Sequence, residues 1–401
     1  MKNLDFKNKR VLIRVDFNVP LDKEYKITDD TRIQKALPTI KHVLDQGGAV
    51  ILMSHLGRPQ KKLTKDGSID VEKFTLRHLV AHLKGLLDTE VIFSPDTVGS
   101  EARSKSFLLN PGQVLLIENT RFHEGESKGN ELFAAGLANL GDIYINDAFG
   151  TAHRAHASTT TVASHFKPEE KSFGYLMESE IKNADKVLMS PDRPLTAIVG
   201  GAKVSDKIQL LERLMELTQN IIIGGGMAYT FVKAKGGEIG NSLCEESHLE
   251  LALELLDKAS KNNVDIYLPE DSVIADDFNN EAKTKVVDSD EIPEGWMGLD
   301  IGPKAIAKFS EVLKASKTIL WNGPLGVFEM SNFANGTMTT AKVVAEATSN
   351  GSFSLIGGGD SVAAVNKAGL SDKVSFVSTG GGAMLEYLEG KKLPGIKGIT
   401  G

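Results

Sequence analysis

Six segments of this chain share one construction, an apolar β-like run that stops abruptly on residues suited to holding phosphate. They are Val11–Pro20 (VLIRVDFNVP), Ala49–Arg58 (AVILMSHLGR), Ile143–His156 (IYINDAFGTAHRAH), Leu195–Lys207 (LTAIVGGAKVSDK), Phe353–Ser361 (FSLIGGGDS) and Val374–Ala383 (VSFVSTGGGA). Runs of this kind alternate with helix-like stretches, which predicts parallel sheets of the α/β class. In such sheets ligands bind at the carboxyl ends of the strands, where loop amides and helix N-termini converge. Two of the runs end in three consecutive glycines, which let backbone N–H groups approach an anion closely. The others end in Arg, Lys, His, Asp or Asn. Together they point to phosphoryl transfer.

With 401 residues the chain exceeds what one hydrophobic core usually supports, so two domains are expected. In the first half the strand candidates are Val11–Val15, Ala49–Ser54, Val91–Ser94, Val114–Glu118 and Asp142–Asn146. In the second they are Leu195–Val199, Asn220–Ile223, Asp265–Leu268, Thr318–Trp321, Phe353–Ile356 and Val374–Val377. Thr31–Gly47 carries Ile33, Leu37, Ile40 and Leu44 at helical spacing, with Asp30 as its cap and a kink at Pro38. Helix Lys207–Leu217 follows the fourth of the six runs. Between the halves, Tyr175–Met189 places Leu176, Met177, Ile181, Ala184, Val187 and Leu188 on one stripe before Pro191 and Pro194, and reads as a semi-rigid connector.

Composition narrows the function. No apolar run reaches the ~18–20 residues that span a bilayer, and MKNLDFKNKR lacks the apolar core of a signal peptide. The single cysteine, Cys244, excludes an intrachain disulfide and a Cys-rich zinc site. A cytoplasmic protein is expected, with no membrane partner. The net charge of −7 argues against general nucleic-acid binding. Residues 1–170 nevertheless carry 23 Lys+Arg against 22 Asp+Glu, and eight of the nine histidines, while the remainder carries 23 against 31. Either this is the accident of two surfaces, or the first domain holds an anionic substrate and the second a nucleotide held by backbone and metal.

The individual residues carry the same division. Asp16 and Asn18 follow the first strand, where short polar groups either hydrogen-bond a hydroxyl or form an Asx-turn into Pro20. Arg32 stands in the first turn of its helix, where a cation opposes the macrodipole; its bland partner is Asp29 or Asp30. Ser54-His55-Leu56-Gly57-Arg58, Arg121 and Arg154 end three further strands, and three arginines with histidines make a basic bowl for a small phosphate. Those histidines lack the companion carboxylates of a metal site. In the second half neither G-x-x-x-x-G-K-[ST] nor a G-x-G-x-x-G fingerprint occurs, so a P-loop is excluded and a dinucleotide-dependent dehydrogenase is poorly supported. Lys203 and Lys207, four apart, are expected on one helix face. Gly357-Gly358-Gly359-Asp360-Ser361 offers amides for phosphate, a carboxylate for Mg²⁺ and a hydroxyl. Thr379-Gly380-Gly381-Gly382 offers a second amide cradle. Trp321–Glu329 mixes apolar walls with one acid, as an adenine–ribose slot would.

Taken in order, RVDFNVP, ITDDTRI, SHLGR, ENTRFHEGE, NDAFGTAHRAH, GGAKVSDKI, IIGGGMA, WNGPLGVFE, GGGDS and STGGGA make the chain resemble the phosphoglycerate kinases of bacterial type over nearly its whole length. The resemblance implies two Rossmann-like domains facing across a cleft and joined by a helix. An N-terminal triose-phosphate domain would occupy 1–172 and the connector 173–190. A nucleotide domain would occupy 191–386, with the tail 387–401 returning to the first. It implies reversible phosphoryl transfer between 1,3-bisphosphoglycerate and ADP, giving 3-phosphoglycerate and ATP, with Mg²⁺, domain closure and a monomeric protein. By the same resemblance Asp16, Asn18, Arg32, His55, Leu56, Gly57, Arg58, Arg121 and Arg154 hold the triose. Lys203, Lys207, Gly225, Asn322, Pro324, Glu329, Gly357, Gly358, Gly359, Asp360 and Ser361 hold the nucleotide, with Asp360 toward the metal. Arg32 and Lys203, with the amides of Gly358 and Gly381, are the implied catalytic groups. The family often has Thr where Ser361 stands, and the hydroxyl is kept.

Overall fold

The structure, a computed structural model, describes Met1 and residues 4–401. The chain divides into two compact units, Met1–Ile181 with Lys392–Gly401, and Lys182–Lys391. The division falls inside the connecting helix, observed as Tyr175–Leu188, and the C-terminal residues Lys392–Gly401 belong to the first unit.

The first unit is built on strands β1 (Arg10–Val15), β2 (Ala49–Met53), β3 (Val91–Phe93), β4 (Val114–Leu116), β5 (Ile143–Asp147) and β6 (Lys171–Phe173). They form one sheet in the order β3-β4-β2-β1-β5-β6 with every pair parallel. β6 is the one strand of this sheet that hydrophobic patterning does not predict; its three residues are all half-buried. Helices cover both faces, so the strands read as near-continuous apolar runs. Val11, Ile13 and Val15 pack on one face with Ile33, Ile40 and Val43 of the helix Thr31–Asp45. Leu12 points to the other face, among Ile51, Phe133, Leu137 and Tyr144. Each such side chain contributes about 1.5–3 kcal/mol relative to exposure. The alternation of a strand puts Arg14 on the Leu12 face, where it is fully buried.

Helix Thr31–Asp45 is one element with Pro38 exposed. Asp30 does not cap it. Its carboxylate instead accepts from Gln34 and lies 2.9 Å from His82 Nε2, while Asp29 accepts the Thr31 N–H at 2.8 Å. The C-terminal helix Pro394–Thr400 docks on this unit: Asn146 Nδ2 donates to Gly395 O and Lys171 Nζ to Gly398 O.

The second unit contains β7 (Leu195–Val199), β8 (Asn220–Ile223), β9 (Glu238–Ile239), β10 (Asp265–Tyr267), β11 (Asp271–Ala275), β12 (Thr284–Asp288), β13 (Glu291–Ile292), β14 (Met297–Ile301), β15 (Thr318–Asn322), β16 (Phe353–Gly357) and β17 (Phe376–Val377). Its main sheet runs β10-β8-β7-β15-β16-β17, again all parallel. Ile198, Ile222, Trp321 and Ile356 pack on one of its faces with Phe309 and Val344. An antiparallel sheet β12-β11-β14 and the pair β13-β9 are additions that the sequence patterning does not anticipate.

In each sheet the order of strands reverses next to the first strand, at β1/β5 and at β7/β15. Such a switch point leaves a crevice beyond the carboxyl ends of the strands. At β7/β15 the two loops touch: a Cβ on Gly200 would lie 2.0 Å from the Pro324 carbonyl, and one on Gly323 would lie 2.1 Å from the Gly200 carbonyl. Only glycine permits that approach.

Candidate active site

In the first unit the polar residues gather beyond the ends of β1, β2, β4 and β5. Asp16 directly follows β1, and its carboxylate accepts from Arg32 NH1. This pairing replaces the Asp29 or Asp30 partner that local spacing suggests. Asn18 Oδ1 accepts the Gly57 N–H at 2.8 Å, and Arg121 NH1 donates to the Gly57 carbonyl at 2.7 Å. Gly57 has φ +63°, and a Cβ there would meet the Phe74 ring at 2.5 Å; a side chain would push the loop off both partners. Leu56 is buried behind it, its carbonyl held by Asn119 Nδ2. Arg58 and Arg154 are exposed, and among the described residues neither guanidinium has a hydrogen-bond or ion-pair partner.

Beneath these groups lies a buried network on the Leu12 face. Arg14 Nε donates to Ser158 Oγ at 2.7 Å, and Ser158 Oγ donates to Glu126 Oε1 at 2.6 Å. Glu126, also fully buried, accepts further from the Ser158 N–H at 3.0 Å and from Thr120 Oγ1 at 3.2 Å. Arg14 NH2 lies 3.2 Å from Nδ1 of His55. Burial, then the nearby Arg14, Arg121 and Arg32 guanidinium groups, holds His55 well below the ordinary histidine range, so the ring is neutral at pH 7. Burial also brings Arg121 down to about 10, with Arg14 and Arg58 adding to the effect and Glu126 and Asp16 opposing it. It remains a cation at pH 7. Arg32 is paired with Asp16 and Arg14 is linked through Ser158 to Glu126, but among the described residues Arg58, Arg121 and Arg154 have no carboxylate partner, and that excess of cations beside a neutral imidazole favours an anionic ligand.

In the second unit the loops after β7, β8 and β15 and the strand β14 enclose a cleft of about 490 Å³. Gly225, Pro324, Glu329 and Asp360 line it, as do Tyr229, Leu243, Phe278, Leu299 and Asp300. Gly225, at φ +70°, passes so close to the Gly201 carbonyl that a Cβ would come within 2.6 Å. Asp300 accepts the N–H groups of Ile301 at 2.9 Å and Gly336 at 2.8 Å, yet burial still raises its carboxyl to about 7.

Lys203 and Lys207 do not share a helix face. The helix begins at Ile208, and both lysines precede it. Ser205 is tied to Glu245 through its N–H at 3.0 Å and its hydroxyl at 2.6 Å, which holds that segment out of the helix. Lys203 is exposed. Lys207 is half-buried, donates to Asn322 Oδ1, and has its pKa lowered by burial. Asn322 Nδ2 is buried with no partner among the described residues, 3.2 Å from where a Cβ of Gly358 would stand. An unpaired buried donor beside the Gly357–Gly359 turn suits a phosphate oxygen. Ser361 is fully buried and its Oγ accepts the Gly323 N–H, so this hydroxyl braces the β15 loop. Gly381, at φ +50°, immediately precedes the helix Gly382–Leu388.

The structure thus joins Asp16, Asn18, Arg32, Gly57 and Arg121 by direct contacts, links His55 to Arg14, and places Gly225, Pro324, Glu329 and Asp360 around one cleft. It leaves Lys203, Arg58 and Arg154 at the surface. Sequence reading misses Arg14, Glu126, Asp300 and the cleft walls Tyr229, Leu243 and Phe278. The clearest available signal is the Arg inside the apolar run VLIRV, which no surface role explains. Among the described residues no group of three or more His, Cys, Asp or Glu could hold a metal ion. A lone carboxylate at Asp360 fits Mg²⁺ that arrives mainly on substrate phosphates.

Two all-parallel α/β sheets, each with its polar groups beyond the carboxyl ends of the strands, define the doubly wound α/β class. The profile of the phosphoglycerate kinase family matches residues 1–391. Phosphoglycerate kinase of Porphyromonas gingivalis is 49% identical over 100% of both chains, and the cytosolic phosphoglycerate kinase of Triticum aestivum 51% identical over 98% of this chain and 95% of its own. The solved phosphoglycerate kinase of Coxiella burnetii superposes with a TM-score of 0.88 at 42% identity, covering 100% of this chain and 98% of its own. The chain belongs to the phosphoglycerate kinase family, kinases that transfer phosphate to a carboxyl group.

Proposed function

We propose that this chain catalyses reversible phosphoryl transfer between the acyl phosphate of 1,3-bisphosphoglycerate and MgADP, giving 3-phosphoglycerate and MgATP. The observation that carries it is the cluster of Arg32, Arg58, Arg121 and Arg154 in one unit, with the separate cleft holding Pro324, Glu329 and Asp360 in the other. Asp16 and Asn18 take the triose hydroxyls, and His55 with the arginines takes its anionic groups. The cleft walls take adenine and ribose, with Glu329 as the acid of the slot. Lys207, Asn322 and the amides of Gly357–Gly359 take the nucleotide phosphates, and Asp360 is the protein carboxylate that Mg²⁺ would meet.

Both reacting oxygens are already anionic, so no general base is required. Rate enhancement comes from positioning and from neutralising charge on the three equatorial oxygens of the transferring group. Arg32, Lys203 and the amides around Gly358 and Gly381 supply that positive field. Each substrate has its own unit, and in-line transfer needs the oxygens within roughly 3–3.5 Å with water kept out. The units therefore close when both substrates are bound, bending near Phe173-Gly174 and Ser190–Pro194. The protein acts as a cytoplasmic monomer without nucleic-acid or membrane partners. Supporting this are the net charge of −7, the cytosolic wheat relative, and the lack of any described helix long and apolar enough to cross a membrane.

A coupled assay with 3-phosphoglycerate and MgATP tests the activity: turnover that EDTA abolishes is expected, and folded, metal-replete protein without turnover would refute it. Small-angle scattering tests the closure. The radius of gyration should fall with both ligands and not with either alone; an unchanged radius in a ternary complex confirmed by calorimetry refutes it.

A further inference from the structure

Arg14 is the largest charged group sealed inside either unit, and the triose-binding roles proposed above leave it without a task. It comes from one of the two middle strands of its sheet, so its guanidinium is fixed by a rigid element. Its contacts are directional. A guanidinium only donates. Nε donates to Ser158 Oγ, which must then use its own proton toward the Glu126 carboxylate. NH1 donates to the Val15 carbonyl. NH2 therefore meets Nδ1 of His55 as a donor, and Nδ1 can complete the bond only as an acceptor. A proton on Nδ1 would set donor against donor in a site from which water is excluded, which costs the full desolvation of both groups. The hydrogen bond made by one ring nitrogen sets the protonation of the other.

We propose that Arg14 is a positioning residue that holds His55 as the neutral Nε2–H tautomer, so that the ring meets the substrate as a hydrogen-bond donor at Nε2. This deepens, and rests on, the reading of His55 as a triose-binding residue. The surrounding charges agree. Arg14, Arg121, Arg32 and His156 face the ring and oppose a second proton; Glu126 and Asp16, the acids beside Arg121, are already engaged by Ser158 and Arg32. Among the described residues Nε2 has no partner of its own, which leaves that N–H for a ligand. Glu126 has the complementary task of balancing Arg14, so that neither charge is buried alone. The consequence is a site in which the arginines supply the charge and His55 supplies one aimed neutral donor. Its contribution should not titrate between about pH 5 and 8, where an unperturbed histidine would.

The test is the long-range ¹H–¹⁵N spectrum of the full chain labelled at histidine nitrogen, without substrate, with His55 assigned by its loss in His55→Gln. We expect Nδ1 at the frequency of an unprotonated ring nitrogen and Nε2 at that of a protonated one, unchanged between about pH 5 and 8. A protonated Nδ1, in either the other tautomer or the imidazolium, overturns the proposal. Arg14→Met with Glu126→Gln then removes both buried charges together. In a folded double variant the His55 pattern should become a tautomer mixture with a pKa returning toward the ordinary range. KM for 3-phosphoglycerate should rise about tenfold, and ADP binding should be unchanged. A folded double variant with the wild-type His55 pattern also overturns it, and if that variant does not fold, the wild-type spectrum decides. The spectrum needs no turnover, so failure of the tautomer and failure of the kinase reading are separate results.

Discussion

In the first unit the candidate residues are cations and short polar side chains on four separate strand ends, whereas in the second glycine amides and the walls of a cleft predominate, with a few polar side chains among them. On the proposed reading, the contrast follows from what each ligand offers. A small triose phosphate has little surface to bury, so recognition relies on charge and directed hydrogen bonds. A nucleotide brings an apolar base, so a shaped, largely apolar pocket can hold it with few polar groups. Charge distribution in the sequence carries the same contrast, with the histidines and the balance of cations in the first part and the acidic excess in the second.

The sharpest way to break this comparison is to remove the groups assigned to the transferring phosphate. Lys203→Ala and Arg32→Ala should each lower kcat on the order of 10²-fold or more while KM changes little. Lys203 is exposed, so thermal unfolding of Lys203→Ala should match wild type, and a kcat within about threefold of wild type would remove Lys203 from the catalytic role. Next in size are the exposed arginines. Arg58→Ala and Arg154→Ala should raise KM for 3-phosphoglycerate about tenfold with kcat nearly unchanged, because a group remote from the reacting centre contributes uniform binding. An effect on ADP affinity instead would break the division between the units.

A smaller effect sharpens the comparison from the nucleotide side. Asp300 has its carboxyl raised to about 7 by burial in the cleft wall, so the folded state holds its proton more tightly than the unfolded chain does. Its contribution to stability is therefore present at low pH and is lost as the pH rises from the ordinary carboxyl range to about 7. Asp300→Asn removes that loss. Its stability relative to wild type should increase over this window by at most about 1.4 kcal/mol per pH unit, measured by denaturant titration. A pH-independent difference would mean that Asp300 is ionised throughout. Salt gives the smallest contrast: raising ionic strength should weaken 3-phosphoglycerate binding more than binding of adenosine, which carries no charge.

How much of this was legible depended on whether a residue's chemistry is explicit in its type. Arginines and glycine triplets at the ends of apolar runs announce a phosphate site, and both parallel sheets follow from alternating runs. The cleft walls do not, because Tyr229, Leu243 and Phe278 have the character of ordinary core residues until the chain folds around them. Local spacing also misleads where a distant partner intervenes. Lys203 and Lys207 lie at helical spacing, but Glu245, forty residues on, holds Ser205 in a turn. Asp30 has the position of a cap, but His82 and Gln34 claim its carboxylate. Arg14 is the instructive failure: within an apolar strand its purpose depends on Ser158, Glu126 and His55, none of which is near it in the chain.

The division of labour between the units is tested most directly by titrating isotope-labelled full-length protein, first with 3-phosphoglycerate alone and then with MgADP alone, and mapping the perturbed backbone amides. The account predicts that the triose moves amides at the ends of β1, β2, β4 and β5, including Asn18, Gly57 and Arg121. MgADP should move those around Gly225, Asn322 and Asp360. Perturbation of the Gly225–Asp360 cleft by 3-phosphoglycerate, with Asn18, Gly57 and Arg121 unmoved, would contradict it.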